Sequence, residues 1–528
     1  MNDSAKRSDA ERLREALEDF LGYPITASEV RLLQGVLADQ RVDYSSDDPA
    51  LNDPRTADEW DDDRVIRAGC VQWLLTDRRM QRRVPRRGVR IQGARIDGLL
   101  DLEYADIPFP IEFQGCSLDK GLILAWARLK ALSLRGGMAS GIIASGLRVM
   151  GDLDFGGGLT CSSGLVLRQA VIHGSLDCSG GEFHNAKGNA LLAQSLQVTG
   201  SVFLDEGFKA AGRVSLPGAT IGGQLVCSGG EFHNAKGNAL LAQSLQVTGS
   251  VVLNEGFKAE GMVSLAGATI GGVLVCRGIS CPDVMSLDLQ HASVQVLFDE
   301  TASWPRRGHL SLQGFHYARI HGSSPVRAAE RIRWLQLQPQ FHPQPYEQLA
   351  STLRASGYED AAKAVQIAKH DEYRRRGGMP PLANLFHWLL KLSTGYGYKP
   401  YRPLFSALFL IAIGAWLFYA GSREGIMMST CSDGFVATAE EEGGSVHPYF
   451  HPVLYSIDVF LPVISFGHAE HWTPNETQAG YLVPRIPLSG LALRSYGWFL
   501  NVSGWVLTTL FIATLSGTIT RRLGPTGK

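Results

Sequence analysis

The amino-acid sequence predicts a mainly β fold, a β-solenoid with helical caps, followed by a C-terminal α-helical domain with two transmembrane spans. Three observations predict it. Apolar and polar residues alternate over much of the middle of the 528-residue chain, as they do in strands with one buried face. Residues 178–226 and 227–275 align without gaps and differ at only 6 of 49 positions. Near the C-terminus, 403–422 and 495–520 carry no charge and are long enough to cross a bilayer as helices.

Residues 1–88 are predicted to form an N-terminal helical cap. They begin with the charged run MNDSAKRSDAERLREALEDF, which lacks a signal-peptide pattern, so we expect this end to stay in the cytoplasm. A later helical pattern has an apolar face made of Val65, Ile66, Val71, Leu74 and Leu75. Such a helix would cover the first coil of the solenoid, whose edge is otherwise open.

Residues 89–322 are predicted to form the solenoid. A glycine of the repeated motif falls at positions 151, 174, 200, 223, 249 and 272, in steps of 23, 26, 23, 26 and 23 residues. Each step fits one coil, so the 49-residue duplication adds two whole coils and keeps every later strand in register. About ten coils are expected, at ~4.8 Å per coil. A β-sandwich of short strands is the alternative, but it does not explain a gapless insertion.

The small residues between Ala94 and Ala127 recur every 11 positions, at 94, 105, 116 and 127. This spacing resembles a loosened pentapeptide-repeat or bactofilin-like β-helix. The longer coils contain GGEFHNAKGN, which is rich in turn-forming residues and is expected to bulge as a polar surface loop.

The eight cysteines are scattered and form no CxxC pair, which indicates reduced, cytoplasmic thiols rather than a disulfide framework. Cys178, Cys227 and Cys276 occupy the last inward position of every second coil. Two coils separate their Cα atoms by ~10 Å, beyond the ~7 Å reach of a disulfide. We therefore expect them to be small core residues.

Residues 323–380 are predicted to form a helical hairpin that caps the other end of the solenoid. The segment PQPYEQLASTLRASGYEDAAKAVQIAKHDEYRRR has apolar positions at helical spacing and resembles one tetratricopeptide-like hairpin. Residues 381–402 follow as a juxtamembrane interfacial segment. Its short apolar helix around Trp388 and Lys391 is expected to lie against the cytoplasmic leaflet.

Residues 403–522 are predicted to form the transmembrane domain, with spans at 403–422 and 495–520. Between the spans, 448–467 carries an acid and two prolines, so we expect it to be re-entrant or interfacial. Basic residues precede the first span and follow the second, whereas the loop between them contains EEE at 440–442. The positive-inside rule then predicts a multi-pass protein of the inner or plasma membrane with both termini in the cytoplasm.

The candidate pore or re-entrant residues lie around the segment between the spans, and they are Asp458, Tyr455, Ser465, His468 and His471. Acids within membrane segments are often functional, but near the interface Asp458 could equally be solvated or cap a half-helix. His447 and His451 join the two later histidines. The sequence allows two interpretations of these histidines, a metal or pH-sensing site or solvated residues of a loop.

The motif TGYGYKP at 394–400 is similar in its letters to a potassium selectivity filter. It precedes the first span, however, whereas a filter follows a pore helix between two spans. The segment after Asp458 reads LPVISFGHAEHW, without a TVGYG pattern. The selectivity of any pore would therefore rest on other groups.

The sequence carries no recognisable catalytic, cofactor-binding or metal-binding motif. It has no GxGxxG that follows a strand and opens a helix, no Walker loop, no CxxCH and no GxSxG. We therefore predict no cofactor and do not favour an enzyme. Lys and Arg number 50 against 51 Asp and Glu, so the overall charge gives no argument for a nucleic-acid partner.

Four stretches support a resemblance in combination: RAGCVQWLLTD…RRGVRIQGARIDGLLDL, FHPQPYEQLASTLRASGYEDAAKAV, GYGYKP and LYSIDVFLPVISFGHAEHW. Together they resemble a family of actinobacterial membrane proteins with a pentapeptide-like β-solenoid and a C-terminal pair of spans. That family is often labelled membrane-associated oxidoreductase, which implies a redox activity. Its layout is also similar to that of two-helix ion-channel modules.

The sequence is consistent with three functions. The first is a membrane-anchored cytoplasmic β-solenoid acting as a scaffold or sensor, assembled into a homo-oligomer through its spans and offering the solenoid to a cytoplasmic protein partner. The alternative is an ion channel or pore gated by the cytoplasmic solenoid. The third is the membrane-associated oxidoreductase that the resemblance implies.

Overall fold

The structure is a computed structural model that describes residues 2–376, 380–430, 449–461, 463–483 and 486–516 of the chain. The chain folds into two compact units, Met1–Gln366 and Ile367–Lys528. The first unit contains the solenoid, and the second is mainly helical. The domain boundaries predicted from the sequence are finer than this division and stay predictions.

The first unit is a parallel β-solenoid of about ten turns, as predicted. In chain order its strands are β1 (Val42–Asp43), β2 (Val65–Arg67), β3 (Val89–Gln92), β4 (Arg95–Asp97), β5 (Leu100–Asp101), β6 (Asp106–Gln114), β7 (Ser117–Leu118), β8 (Leu122–Ile123), β9 (Arg128–Ser133), β10 (Met138–Ala139), β11 (Ile142–Ile143), β12 (Arg148–Val149), β13 (Leu153–Asp154), β14 (Thr160–Cys161), β15 (Leu165–Val166), β16 (Val171–Ile172), β17 (Leu176–Asp177), β18 (Glu182–Leu192), β19 (Gln197–Val198), β20 (Val202–Phe203), β21 (Lys209–Ser215), β22 (Thr220–Ile221), β23 (Leu225–Val226), β24 (Glu231–Leu241), β25 (Gln246–Val247), β26 (Val251–Leu253), β27 (Lys258–Ser264), β28 (Thr269–Cys276), β29 (Met285–Asp288), β30 (Ser293–Asp299), β31 (Leu310–Ser311) and β32 (His316–Ile320). Sheet one comprises β1, β3, β6, β9, β12, β13, β16, β17, β19, β20, β22, β23, β25, β26, β28, β30 and β32, and sheet two comprises the others.

Successive turns stack in register, and the duplication keeps that register. The buried residues Ile172, Val198, Ile221, Val247 and Ile270 are Cα partners in five neighbouring strands of sheet one. Their spacing alternates between 26 and 23 residues, as the glycine spacing predicted. Each copy of the 49-residue segment therefore builds one pair of consecutive turns.

The core of the solenoid contains a ladder of stacked phenylalanines that the sequence analysis did not single out. Phe183, Phe208, Phe232 and Phe257 are all buried, and their ring centroids are 5.6, 5.4 and 5.2 Å apart in successive pairs. Each such aromatic pair contributes ~0.5–1.5 kcal/mol beyond the burial of its surface. The ladder therefore holds the duplicated turns together.

Cys178, Cys227 and Cys276 are buried free thiols in this core, as expected. Leu253 is the Cα partner of Cys276 in the adjacent turn, so a leucine lies where a second thiol would be needed for a disulfide. Burial raises the pKa of each of the three thiols well above its ordinary value. They are therefore protonated, unreactive packing groups at neutral pH.

One corner of the coil requires a left-handed backbone at successive turns. Tyr104, Trp126 and Gln169 have φ values of 58°, 59° and 55°, and Gly146 between them has a φ of 68°. Gly146 is also required for space, because a Cβ there would lie 2.3 Å from the Trp126 ring of the preceding turn. The exposed indole of Trp126 thus covers the backbone of the next corner.

The predicted polar loops are bulges in sheet two. In β18 the register with β21 shifts between His184 and Asn189, and residues 185–188 leave the ladder. The same shift occurs in β24 between His233 and Asn238. Each bulge lies over a glycine of the next turn, where a Cβ would be 2.3–2.4 Å from a carbonyl oxygen of the bulge. The duplication therefore produces two equivalent bulges two turns apart.

The helices of the first unit precede β3 or follow β32 in the chain. They are α1 (Asn2–Leu21), α2 (Ala27–Leu37), α3 (Ala68–Thr76), α4 (Arg78–Gln81), α5 (Ala328–Gln336), α6 (Pro343–Ala355) and α7 (Glu359–Arg376), the last of which contains the boundary between the units. Val65 and Ile66 were expected on a helix but form β2, which pairs with β4 of the first full coil. The open edge of that coil offers hydrogen bonds that favour a strand over a helix at these β-branched residues.

A buried ion pair fastens α5 to the turn formed by β29 and β30, the next to last of the solenoid. Asp299 occupies the inward position that follows Cys276 in the adjacent turn, and its side chain is 3 % exposed. Arg331 of α5, with a fully buried side chain, donates to both of its carboxylate oxygens, at 2.8 and 2.7 Å. Trp304 Nε1 donates to the same carboxylate at 2.9 Å, and Arg331 Nε donates to the Pro325 carbonyl at 2.6 Å.

The second unit contains five helices in its described part: α8 (Pro381–Thr394), α9 (Tyr401–Arg423), α10 (Pro452–Phe460), α11 (His468–His471) and α12 (Gly490–Leu515). Two short antiparallel pairs accompany them, β33 (Met427–Ser429) with β34 (Trp472–Pro474), and β35 (Ala479–Val483) with β36 (Ile486–Ser489).

Candidate functional site

Two helices of the second unit are long and apolar enough to span a membrane. Over their most apolar windows, α9 has a mean hydropathy of 2.0 and α12 of 1.5. Only 22 % of the α9 window and 17 % of the α12 window is buried, whereas the core helix of a soluble protein would be mostly buried. The exposed side chains include Phe405, Phe409 and Trp416 on α9 and Trp498 and Trp505 on α12.

Glycines bring the two helices together. A Cβ at Gly421 of α9 would lie 2.4 Å from the Leu493 Cδ1 atom of α12, so that leucine packs directly on the α9 backbone. Tyr496 of α12 donates its hydroxyl to the Leu410 carbonyl of α9 at 2.8 Å. Small residues at helix contacts are the usual means of association between apolar helices. The sequence did contain this signal, as glycines within the apolar stretches.

The short helix α10 packs against both of these helices. A Cβ at Gly414 of α9 would lie 3.1 Å from Ser456 Oγ, and a Cβ at Gly504 of α12 would lie 1.8 Å from the Phe460 carbonyl oxygen. Asn501 of α12 also donates to the Val459 carbonyl at 3.2 Å. The segment predicted to be re-entrant therefore contributes a half-length helix that is held on two sides.

Asp458, the first of the predicted site residues, ties the chain that follows α10 back onto that helix. It is 8 % exposed. Its Oδ1 accepts the Phe466 amide at 2.6 Å, and its Oδ2 accepts the Ala469 amide at 2.7 Å. Ala469 lies in the first turn of α11, so the carboxylate also caps that helix. Both oxygens are thus engaged by backbone donors.

The other predicted site residues fall into two groups. Tyr455 is buried, and its ring packs edge-on against Phe418 with centroids 4.8 Å apart. Ser465 is exposed in the segment 463–467 and accepts the Gly467 amide at 3.2 Å. His468 and His471 are the first and last residues of α11, which follows Ser465 in the chain.

The histidines do not form a metal site in the part of the chain that the structure describes. No group of three or more His, Cys, Asp or Glu side chains within the described ranges is arranged to hold a metal ion. His451 precedes α10 and its carbonyl accepts the Tyr455 amide. His447 lies outside the described residues.

The TGYGYKP motif forms the turn between α8 and α9. Gly395 ends α8 in a left-handed conformation, and Tyr396 follows with a φ of 59° and a buried ring. The Tyr396 hydroxyl donates to Asp371 at 3.1 Å, and Lys391 donates to the same carboxylate at 2.7 Å. Burial, with the Asp371 charge, raises the pKa of Tyr396 to about 12. The motif is therefore structural.

The face of α8 opposite these contacts is apolar and exposed. Its exposed large side chains are Leu382, Leu385, Phe386, Trp388, Leu389 and Leu392. A helix with one such face and a lysine near its end has the composition of a helix that lies in a membrane interface.

The outer face of sheet two carries an ordered column of alternating charges. Glu182, Lys209, Glu231 and Lys258 are Cα partners in four successive turns. The Lys209 ammonium lies 3.0 Å from the Glu182 carboxylate. The two bulges follow this column directly in β18 and β24, so the same charged and polar groups recur every second turn.

Comparison of the chain with protein-family models, curated proteins and solved structures found no match. The relationship to the actinobacterial family and the oxidoreductase label therefore stay predictions from the sequence, and the fold and the geometry described above are the basis for assigning a function.

Proposed function

We propose that this chain is a membrane-anchored scaffold, in which α9 and α12 cross the bilayer and the solenoid lies in the cytoplasm. The observation that carries the proposal is the exposed apolar surface of the two helices. Phe405 and Phe409 are 65 % and 66 % exposed, and Val502 and Ile512 are 62 % and 60 % exposed. Contiguous apolar surfaces of this kind are rare on soluble proteins, and a bilayer would cover this one.

The charge around α8 and α9 supports the cytoplasmic side for the solenoid. Lys391, Lys399 and Arg402 precede α9 in the sequence, and basic residues favour the cytoplasmic end of a span. The exposed apolar face of α8 would lie in the same interface.

The surface of the solenoid supports the scaffold role. The two bulges present identical His-Asn-Ala-Lys-Gly-Asn sequences from β18 and β24, two turns apart, and Lys187 and Lys236 at their tips are exposed. Two turns correspond to ~10 Å along the axis. A partner with a repeated motif could bind both bulges at once, which raises its effective affinity without new contacts.

Extraction of membranes with alkaline carbonate tests the anchor. We expect the full chain to stay in the membrane pellet. Replacing Leu408 and Phe409 with Asp should release it, because each Asp at the centre of a span costs ~2.5–3.5 kcal/mol on insertion. The control is Leu99→Asp with Ile143→Asp, which places the same charges at exposed apolar positions of the solenoid. Release of the unmodified chain by carbonate would contradict the proposal.

Photo-cross-linking in cells tests the scaffold role. A photoreactive amino acid at position 187 or 236 of the full chain should capture the same protein partner, and one at the exposed position 306 should not. A pattern identical at all three positions would contradict a partner contact at the bulges.

A second candidate function is a pore, which we propose because α10 is a half-length helix held between two spans. Residues 463–466 after it are exposed. In an assembly of several copies this segment would face a shared axis. Because Asp458 binds two backbone amides, loss of ion flux in Asp458→Ala would not separate an ion-binding role from a structural one. Ser465→Cys would separate them. In reconstituted vesicles, a thiol reagent should block flux through Ser465→Cys and leave the unmodified chain unaffected.

A further inference from the structure

A basic groove lies on the outer face of sheet one near its N-terminal end. It has a volume of about 420 Å³, and its polar and exposed lining residues are Asp106, Arg128, Lys130, Arg148, Met150 and His173. The register of the strands explains how these side chains meet. Arg128 of β9 is the Cα partner of Arg148 of β12, so the two arginines lie side by side on adjacent turns, ~4.8 Å apart along the stack.

Lys130 and His173 extend the groove in the second column of outward positions. Lys130 follows Arg128 by two residues, so it lies on the same face of the strand. The Met150 amide donates to the Leu129 carbonyl, and the His173 amide donates to the Val149 carbonyl, which places Met150 and His173 beside Lys130 on the next turns. The groove thus has two columns of outward side chains, Asp106, Arg128 and Arg148 in one and Lys130, Met150 and His173 in the other, offset by one turn.

The cations of the groove lack anionic partners in the described residues. Arg128, Lys130 and Arg148 form no ion pair with a described carboxylate, although other cations of the solenoid do. Arg135 pairs with Asp154 at 3.3 Å, and Arg277 pairs with Glu300 at 3.4 Å. Like charges directly opposite each other on neighbouring strands are unfavourable. An anion between Arg128 and Arg148 would remove that repulsion.

The column of outward positions that contains Arg128 and Arg148 is neutral on the later turns, beginning with Val171 of β16, so these cations form a local site. Beyond Arg148, the outward positions that continue the column in β19, β22, β25, β28 and β30 are Gln197, Thr220, Gln246, Thr269 and Ser293. In the other direction the next outward residue of the column is Asp106, the Cα partner of Arg128, and further cations lie beyond it. Arg78 lines an adjoining cavity that shares Asp106 with the groove, and Arg12, Arg79 and Arg82 line a separate cavity.

We propose that this groove binds a diphosphate group. A guanidinium presents a planar fork of donors that matches two phosphate oxygens, so two arginines side by side can each hold one phosphoryl group. Lys130 supplies a third positive charge, and the Met150 side chain contacts the organic part of the ligand. The diphosphate could belong to a soluble compound or to the headgroup of a lipid.

Isothermal titration of the full chain in a neutral detergent with inorganic pyrophosphate tests the proposal. Each charge-assisted pair that is lost should cost about tenfold in affinity, so Arg128→Gln with Arg148→Gln should weaken binding about 100-fold. Asp106→Asn should act in the opposite direction and strengthen binding, because it removes the carboxylate that lies opposite Arg128 on the adjacent turn and competes with the ligand for that arginine. The matched control is Arg306→Gln with Arg307→Gln, which removes the same charge from two exposed positions of a distant turn and should leave the affinity unchanged.

Two further ligands, a lipid diphosphate and a nucleoside diphosphate, distinguish the source of the diphosphate. A phosphatidylcholine vesicle carrying a lipid diphosphate should bind the chain, held in neutral nanodiscs, more tightly than a plain vesicle if the source is a lipid. A nucleoside diphosphate should bind more tightly than pyrophosphate if the source is soluble.

Three results of these titrations would overturn the proposal, and a fourth comes from a separate ligand. They are no pyrophosphate binding by the unmodified chain, equal binding of sulfate and pyrophosphate, and equal loss of affinity in the control variant. Preferential binding of an oligonucleotide without terminal phosphates would also overturn it in favour of a nucleic-acid surface. All substituted side chains are exposed, so thermal unfolding should confirm that each variant keeps its fold.

Discussion

The buried ion pair between Asp299 and Arg331 gives a quantitative prediction. Arg331→Met removes the guanidinium and leaves Asp299 as an unpaired charge that is 3 % exposed. Breaking one side of a buried ion pair costs ~3–5 kcal/mol. Both carboxylate oxygens lose a donor at 2.7–2.8 Å, and only Trp304 Nε1 remains, so we expect the full range to apply. The cost should fall on the contact between α5 and the turn that contains β30.

Hydrogen exchange measures this local cost better than global unfolding, because solenoids do not unfold in one cooperative step. Under conditions where exchange reports the opening equilibrium, the amides of α5 should exchange roughly 100- to 4,000-fold faster in Arg331→Met. Arg333→Met, on the exposed face of the same helix, is the matched control and should leave exchange unchanged.

A double variant separates the charge from the packing. Replacing Asp299 with Leu in the Arg331→Met background removes both charges, and buried ion pairs replaced by apolar side chains are often neutral in stability. We expect most of the protection of α5 to return, less the cost of the Trp304 indole N–H that loses its acceptor. Acceleration below tenfold in Arg331→Met, or no recovery in the double variant, would refute the electrostatic explanation.

Three further predictions concern the solenoid itself. Deleting residues 178–226 should leave a folded solenoid by circular dichroism and limited proteolysis, whereas deleting only 178–225 should unfold it, because a one-residue shift turns each buried face outward. In urea titrations, Gly146→Ala should lower the free energy of unfolding by about 2 kcal/mol, because the added Cβ would strain the left-handed backbone and clash with the Trp126 ring. Adding Trp126→Ala to this variant should restore part of the lost stability. In a Cys431→Ser background, a thiol reagent should label Cys281 first, because burial shields the six other thiols and raises their pKa values. Equally fast labelling of the core thiols would contradict this prediction.

The solenoid could be predicted from the sequence because its signal is repeated. The alternation of buried residues and the 23- and 26-residue steps determine the register of Ile172, Val198 and Ile221 without any tertiary information. The error at Val65 and Ile66 has the opposite origin. Both residues lie next to a helix in the sequence, and only the open edge of the first coil makes them a strand.

The candidate site could be predicted only in part. The apolar stretches and the acid at Asp458 are visible in the sequence, but its two amide partners depend on how the chain turns after α10. Asp299 was not predicted because it occupies an inward position where earlier turns have Cys or Leu, and its partner Arg331 lies 32 residues away. Arg128 and Arg148 are 20 residues apart, and only the register of the turns makes them neighbours.

The hydrogen bonds between turns run along the solenoid axis, and this has a mechanical consequence. Tension applied between the two ends of the stack loads these bonds one row after another, as in a zipper, instead of shearing many rows together. In an optical trap the stack should therefore lengthen in steps at low, nearly constant force. In the duplicated turns each released turn adds the contour length of 26 or 23 residues, roughly 9 or 8 nm, so this part of the extension trace should alternate between two step sizes.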